Sequence, residues 1–163
     1  MTANWFEAKI KYVKVNEDGY EKKVNEAYLL DAMSYTEAES RIIHEMESLI
    51  SGDYYITNLK KSNITELVPS EDEKDDRWYK AKVLIIDADE VSGKEKSSVQ
   101  FYLVAAANLR GALENLEKSL STYVVPYEIE SIADTSIMDV FPYFSEEEEQ
   151  IPNNLKPLHG DEE

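Results

Sequence analysis

The sequence contains no cysteine, and its only histidines are His44 and His159. These absences exclude a disulfide framework, a thiolate zinc site, a cysteine nucleophile and a histidine-rich metal cluster. A Gly-rich phosphate loop and a hydrolase nucleophile elbow are missing as well. We therefore expect a protein that has no catalytic constellation, no cofactor and no metal, and that is not an enzyme.

Long hydrophobic runs are also absent. No stretch approaches the roughly 18 consecutive apolar residues of a membrane span. Residues 1–14 lack the uninterrupted apolar segment of a signal peptide. We expect a cytoplasmic protein that does not associate with membranes.

Positive charge is scarce, because 17 Lys and Arg stand against 34 Asp and Glu, for a formal net charge of −17. This balance excludes generic binding of duplex nucleic acid or of an anionic membrane surface. The excess is uneven, since residues 71–77 and 145–163 together contribute −9. These segments are predicted to be an acidic linker and an acidic, disordered tail, whereas the 42% hydrophobic composition of the chain supports a folded core.

An internal repeat organises the rest of the chain. Trp5–Ile10 (WFEAKI) resembles Trp78–Val83 (WYKAKV), and Tyr28–Ala32 (YLLDA) aligns with Tyr102–Ala106 (YLVAA). Collinear matches at a nearly constant offset are typical of a duplicated structural unit. We predict an α+β fold built by tandem duplication of a ββαβ unit, with pseudo-twofold symmetry, mainly antiparallel sheet and one main helix per repeat.

Periodicity places the elements of each repeat. Strands are predicted at 5–15, 22–30 and 54–60 around a helix at 35–51, and in the second copy at 96–104 and 127–133. The first two strands of each copy form a hairpin whose turn contains Gly19 or Gly93. Ser34 with Glu37 has the spacing of a capping box, and Thr36 with Glu39 repeats it. Gly52 has the position of a helix C′ residue, and Asn108 is the expected N-cap of the second helix. After the third strand we expect a short turn-like segment leading to Pro69 or Pro142.

Four segments follow from this pattern. Residues 1–70 are the first repeat and 78–144 the second, with the linker 71–77 between them and the tail 145–163 after them. Three strands and one helix bury little surface alone, so we expect the repeats to pack together as one globular unit. The pattern leaves open whether their sheets join edge to edge or stack face to face.

A repeated pattern of aromatic and basic side chains is the strongest candidate site. The outward face of the first strand in each repeat carries the residues Trp5, Lys9, Lys11, Trp78, Lys80 and Lys82. Interleaved Trp and Lys could stack a base and pair with a phosphate, which makes this face a candidate ligand-binding site. The alternative, which we favour, is that each Trp covers a core edge while Lys keeps an exposed sheet soluble. The 11 tyrosines similarly suit a partly wet sheet face or an oligomer interface.

Several longer stretches resemble a known family. They are Trp5–Ile10, Tyr28–Glu39, Asp76–Lys80 and Met138–Tyr143. The sequence is similar to the bacterial family called domain of unknown function 4494, and the resemblance covers about residues 4–143. It implies a cytosolic protein of Bacteroidetes, their phages or mobile elements, and it supplies no catalytic residues.

The leading hypothesis is a non-enzymatic binding or accessory protein of phage or mobile-element biology, which holds a protein partner or small ligand on a duplicated scaffold. An alternative is a phage antagonist of host defence that sequesters a nucleotide signal or acts as an acidic decoy of nucleic acid. An enzyme of unrecognised type is the third. Self-association as a homo-oligomer stays open.

Overall fold

A computed structural model describes residues 4–142. Ten elements follow one another along the chain, and they are β1 (Asn4–Val15), β2 (Glu21–Ala32), α1 (Tyr35–Leu49), β3 (Tyr54–Lys61), β4 (Glu66–Val68), β5 (Arg77–Ala88), β6 (Glu95–Ala106), α2 (Leu109–Leu120), β7 (Tyr127–Asp134) and β8 (Ile137–Phe141). The predicted α+β class is confirmed, as is the predominance of sheet over two helices. The predicted tail lies outside the described residues.

The two hairpins are the longest paired elements. β1 pairs with β2 and β5 with β6, each antiparallel over twelve residues in continuous register. Gly19 and Gly93 take φ values of 81° and 72° in the turns, a conformation that costs glycine little because it has no Cβ. Both predicted hairpins are therefore confirmed.

Both helices begin at the predicted caps. The Ser34 hydroxyl accepts the Glu37 N–H at 3.2 Å, and the Glu37 carboxylate accepts the N–H of Met33 rather than that of Ser34. The Asn108 side chain accepts the Gly111 N–H at 2.8 Å. α1 ends at Leu49, two residues earlier than predicted, because Ile50 is already extended. The predicted C′ role of Gly52 is accordingly wrong.

The segments predicted as turn-like are strands, and each joins the sheet of the other half. β4 pairs in parallel with β6, and β8 pairs in parallel with β2. The strand orders are β3-β1-β2-β8 in the first sheet and β4-β6-β5-β7 in the second, so both sheets are mixed. Segments of three and five residues are too short to show a period of two, and the open edges of β2 and β6 supply their backbone partners.

Successive side chains along the strands point to opposite faces of each sheet and therefore belong to different hydrophobic clusters. Leu30 and its same-face neighbours pack under α1, while Tyr79 and its neighbours pack under α2. Leu29 and Leu103 point to the opposite faces and meet in a third cluster. We call this cluster the inter-sheet core; its buried members are Ala27, Leu29, Ile64, Leu103 and Ile137. The two sheets therefore contact each other through the faces turned away from the helices.

The inter-sheet core covers only the half of each hairpin that is remote from its turn. Trp5 and Leu29 belong to it, whereas Lys11, Val13 and Lys23 lie on the same face closer to the turn and are exposed. The part of the face near the turn is therefore exposed to solvent.

Candidate functional site

The two tryptophans of the predicted site pack against the inter-sheet core. Trp5 and Trp78 are each half-buried there, on opposite sheets. The structure thus brings the two predicted aromatics to one cluster. Their rings cover apolar surface between the sheets, as the structural interpretation of the pattern expected.

The lysines of β5 already have partners. Lys80 Nζ donates to the Asn63 side-chain oxygen and lies 4.8 Å from the centroid of the Phe101 ring. Lys82 Nζ lies 3.2 Å from a carboxylate oxygen of Glu130. Each of the two ammonium groups therefore has a polar partner, on β7 for Lys82 and in the segment between β3 and β4 for Lys80.

The lysines of β1 lie on an exposed surface. Lys9 is opposite Ala27 on β2, and Lys11 is opposite Tyr55 on β3. Neither forms an ion pair with another residue between 4 and 142. The six predicted residues are therefore divided between a packing role, internal contacts and one open surface.

Lys11 lines a cavity of about 680 Å³ at the turn end of the first sheet. We call it the hairpin cavity, and its lining includes Lys11, Val13, Glu21, Lys23, Asp53 and Tyr55. Sequence reasoning missed Lys23 and Tyr55, because they lie on other strands. Only the cross-strand register, which places Val13 opposite Lys23 and Lys11 opposite Tyr55, brings them together.

A second opening lies between α2 and the edge strand β7. This α2–β7 groove has a volume of about 560 Å³ and is lined by Leu109, Arg110 and Leu113 of the helix and by residues 129–132 of the strand. Leu109 is 53% exposed and Leu113 39%, while Ile129 and Ile132 are half-buried at its base. The sequence predicts that both leucines belong to the apolar face of α2. It does not show that this face extends beyond the core.

On the first sheet, a tyrosine occupies the space between the helix and the edge strand. Tyr35, the first residue of α1, packs edge-on against Phe6 with ring centroids 4.9 Å apart, and its hydroxyl accepts the Lys61 N–H at 3.4 Å. A tyrosine thus spans from α1 to the end of β3. Leu109 is the first residue of α2 and is too short to make this span.

Two buried tyrosines form hydrogen bonds near the helices. Tyr28 donates to Glu26 at 2.8 Å, and the Tyr102 and Tyr123 hydroxyls lie 2.6 Å apart. Burial, followed by these hydrogen bonds, raises the pKa of Tyr28 and of Tyr102 above the ordinary value for tyrosine. Burial and Glu26 also raise the pKa of Tyr12. A raised pKa favours the protonated phenol, which suits a structural role.

Residues 4–142 contain no group of three His, Asp or Glu side chains able to hold a metal ion. Over the same range, neither helix is long and apolar enough to cross a membrane. His44 is exposed on α1.

Comparison with known proteins identifies the family. The family described as domain of unknown function (DUF4494) matches residues 4–143, which include both sheets. The chain belongs to this family, as the sequence resemblance predicted. No curated protein matches it.

Proposed function

We propose that this chain is a cytoplasmic, non-enzymatic binding protein that holds a segment of a protein partner in the α2–β7 groove. The observation that carries the proposal is an open apolar groove between a helix and an edge strand, at a position where the first sheet is bridged by its own tyrosine. The family resemblance suggests the setting, phage or mobile-element biology of bacteria.

Apolar surface is what the groove offers a partner. Leu109 and Leu113 leave much of their side chains in water, one helical turn apart on the same face. Covering such surface is favourable by about 25 cal/mol per Å². A single large apolar side chain of a partner would contact both leucines and the isoleucines beneath them.

Side-chain docking is favoured over addition of a continuous strand. β7 is an edge strand, but its register against β5 shifts between Lys82 and Val83, which leaves Glu130 as an extra residue. A bulge of this kind interrupts the ladder and protects an edge from pairing. The partner is therefore anchored by a side chain in the groove.

The groove itself has few charged side chains. Its lining includes one acid, Glu130, which pairs with Lys82, and Glu117 lies one helical turn beyond Leu113 on α2. Arg110 is the one basic side chain among the groove-lining residues. The formal net charge of −17 for the chain favours a basic segment and opposes a second acidic copy of the protein.

Tyr35 of the first sheet indicates how large a side chain the space between a helix and its edge strand can hold. In the first sheet the space between helix and edge strand takes an aromatic ring packed against Phe6. We therefore propose a basic segment whose anchor is an aromatic side chain.

Affinity purification of the full-length protein from its native host, followed by mass spectrometry, tests the proposal. We expect Leu113→Glu to abolish capture of the partner, because it places a carboxylate in the apolar groove. Leu49→Glu is the matched control, since Leu49 is 58% exposed at the far end of α1. A partner retained by both variants, or lost from both, would contradict a role for the groove.

A second variant gives α2 the tyrosine that α1 has at its first position. Leu109→Tyr should fill the groove from within and compete with the anchor of the partner, while leaving the fold intact. We expect capture to fall as with Leu113→Glu, with an unchanged or slightly higher melting temperature. Undiminished capture by Leu109→Tyr would show that the anchor binds elsewhere.

Tandem duplication is the proposed origin of the two halves. The order of two strands, a helix and two strands occurs twice, and β1 and β5 have the same length of twelve residues. Their edge partners shift register at the same point, between Lys9 and Ile10 and between Lys82 and Val83. These similarities support a duplicated ββαβ unit at 1–70 and 78–144 with pseudo-twofold symmetry, extended in each copy by a short exchanged strand.

A further inference from the structure

The hairpin cavity is a second opening, separate from the α2–β7 groove, and it has a different chemistry. It lies on the first sheet, on the face turned away from α1 and beyond the inter-sheet core. Three strands and the segment 51–53 contribute to it, and the hairpin beneath it has twelve residues in each strand.

Two lysines lie side by side in this cavity. Lys11 is opposite Asn25, and Lys23 is opposite Val13, so the two lysines are diagonal neighbours across the hairpin, with their Cα atoms roughly 7–8 Å apart. Among the described residues neither ammonium has a carboxylate partner, although acids outnumber bases two to one in the chain. An anion between them would relieve their mutual repulsion and accept hydrogen bonds from both.

An exposed aromatic ring completes the basic side of the cavity. Tyr55 is opposite Lys11 on the neighbouring strand and is 67% exposed. A ring in this position offers a face on which a planar heterocycle can stack. The pair of lysines and the ring thus match a ligand that carries an anionic group beside an aromatic one.

Two carboxylates limit the charge of that ligand. Glu21 and Asp53 line the same cavity. They accept hydrogen bonds from hydroxyl or amino groups and repel a polyanion. This balance of two cations and two carboxylates favours a small phosphorylated nucleoside over a nucleic-acid strand.

The second sheet shows that the fold does not require these side chains. The eighth residue of β5 is Leu84 where β1 has Lys11, and the third residue of β6 is Ser97 where β2 has Lys23. The second residue of β7 is Glu128 where β3 has Tyr55. The same backbone is built with no lysine and no aromatic ring at these three positions.

From this arrangement we infer that the hairpin cavity binds a nucleoside monophosphate. Lys11 and Lys23 hold the phosphate, Tyr55 stacks against the base, and Glu21 and Asp53 accept hydrogen bonds from the sugar or base. This site keeps Lys11 from the predicted set and replaces the tryptophans with Tyr55. It is independent of the protein-binding groove, so either assignment stands without the other.

Titration of the full-length protein with the monophosphates of adenosine, guanosine, cytidine and uridine tests the inference, with calorimetry for affinity and amide NMR shifts for location. At least one is expected to bind and to shift the amides of Lys11, Lys23 and Tyr55. Binding should weaken as ionic strength rises. The corresponding nucleoside and inorganic phosphate should each bind at least about tenfold more weakly, because each offers only one of the two contacts.

The hairpin also supplies a matched control. Lys14 and Lys22 are opposite each other on the other face of the same two strands. The double variant Lys11→Ala/Lys23→Ala should weaken nucleotide binding by about tenfold or more, and Lys14→Ala/Lys22→Ala by less than about twofold. Tyr55→Ala should reduce affinity for the nucleotide without changing affinity for phosphate. No binding by any of the four nucleotides, equal binding of phosphate or the nucleoside alone, or equal loss in both double variants would overturn the inference.

Discussion

The two sheets carry the same series of elements but present different surfaces at matching positions. On the first sheet Tyr35 bridges the helix and the edge strand, and the hairpin face is basic at Lys11. On the second sheet the helix side is open at Leu109, and the hairpin face is apolar at Leu84. Because the backbone order is shared, the differences reflect side-chain choice. The first sheet has an exposed hairpin face with lysines, and a tyrosine fills the space beside its helix. The second sheet has an open groove beside its helix, and the matching positions of its hairpin carry no lysine.

The inter-sheet core joins buried side chains of both halves, and breaking it should have the largest effect. Leu29 and Leu103 are both fully buried there, at the ninth position of β2 and of β6. Replacing either with Ala should lower the free energy of unfolding by about 2–5 kcal/mol, because it leaves a cavity in a packed core. Leu49→Ala, at an exposed position, should change it by less than about 0.5 kcal/mol.

Urea unfolding of these variants distinguishes one cooperative unit from two. Since β4 completes the second sheet and β8 the first, we expect a single transition whose midpoint moves by a similar amount in Leu29→Ala and Leu103→Ala. Two separate transitions, with each variant moving only one of them, would mean that the halves unfold independently.

The end of β8 is held by a side chain of α1 that α2 replaces with a shorter one. Arg41 of α1 donates to the backbone oxygens of Asp31, Phe141 and Pro142, the last at 2.9 Å. Its side chain therefore connects α1 and β2 to the end of β8. At the same position in α2, Asn115 donates to the Ala105 oxygen at 2.9 Å.

Removal of these two side chains should have unequal effects. Arg41→Ala should destabilise the protein by about 1.5–3 kcal/mol and Asn115→Ala by about 0.5–1.5 kcal/mol, because a charged donor with several acceptors is lost in the first case. Hydrogen exchange should show the Val140 and Phe141 amides losing protection in Arg41→Ala alone. Equal losses of stability, or unchanged exchange in β8, would contradict the proposed tie.

Local features of the fold could be predicted because they depend on neighbouring residues. The hairpins follow from alternation and turn glycines, and the helix starts follow from Ser34 and Asn108. The short strands β4 and β8 could not be recognised, because three and five residues carry little strand pattern of their own. Their strand character comes from the open edge that they meet, which a single segment does not encode.

The candidate sites show the same limit. Alternation along β1 identifies the face that carries Lys11, but Lys23 and Tyr55 join it only through the register of two neighbouring strands. The leucines of the α2–β7 groove have the spacing of ordinary core residues. Their exposure depends on how far α2 overlaps the edge strand, and that overlap is set by packing rather than by the helix sequence.

The smallest effects at neutral pH are expected at the buried tyrosines, which differ between the halves in their partners. The Tyr28 hydroxyl donates to Glu26. The Tyr102 hydroxyl donates to the uncharged Gln100 side chain at 3.2 Å and is 2.6 Å from the hydroxyl of Tyr123, a residue 38% exposed. Tyr28→Phe and Tyr102→Phe should each cost about 1 kcal/mol near pH 7. We expect the greater loss at Tyr28, because the Glu26 carboxylate loses a donor.

The raised pKa values of Tyr28 and Tyr102 make stability depend on pH in the alkaline range. Unfolded tyrosine loses its proton near pH 10, whereas Tyr28 and Tyr102 keep theirs in the folded chain because their pKa values are raised. Above about pH 10 the folded state therefore binds more protons than the unfolded state, and stability falls as pH rises; below that pH both states are protonated and this slope vanishes. Each Phe variant should lessen the alkaline fall measured by urea unfolding, and the double variant should lessen it most. A pH profile identical in the wild type and the double variant would mean that other groups control alkaline unfolding.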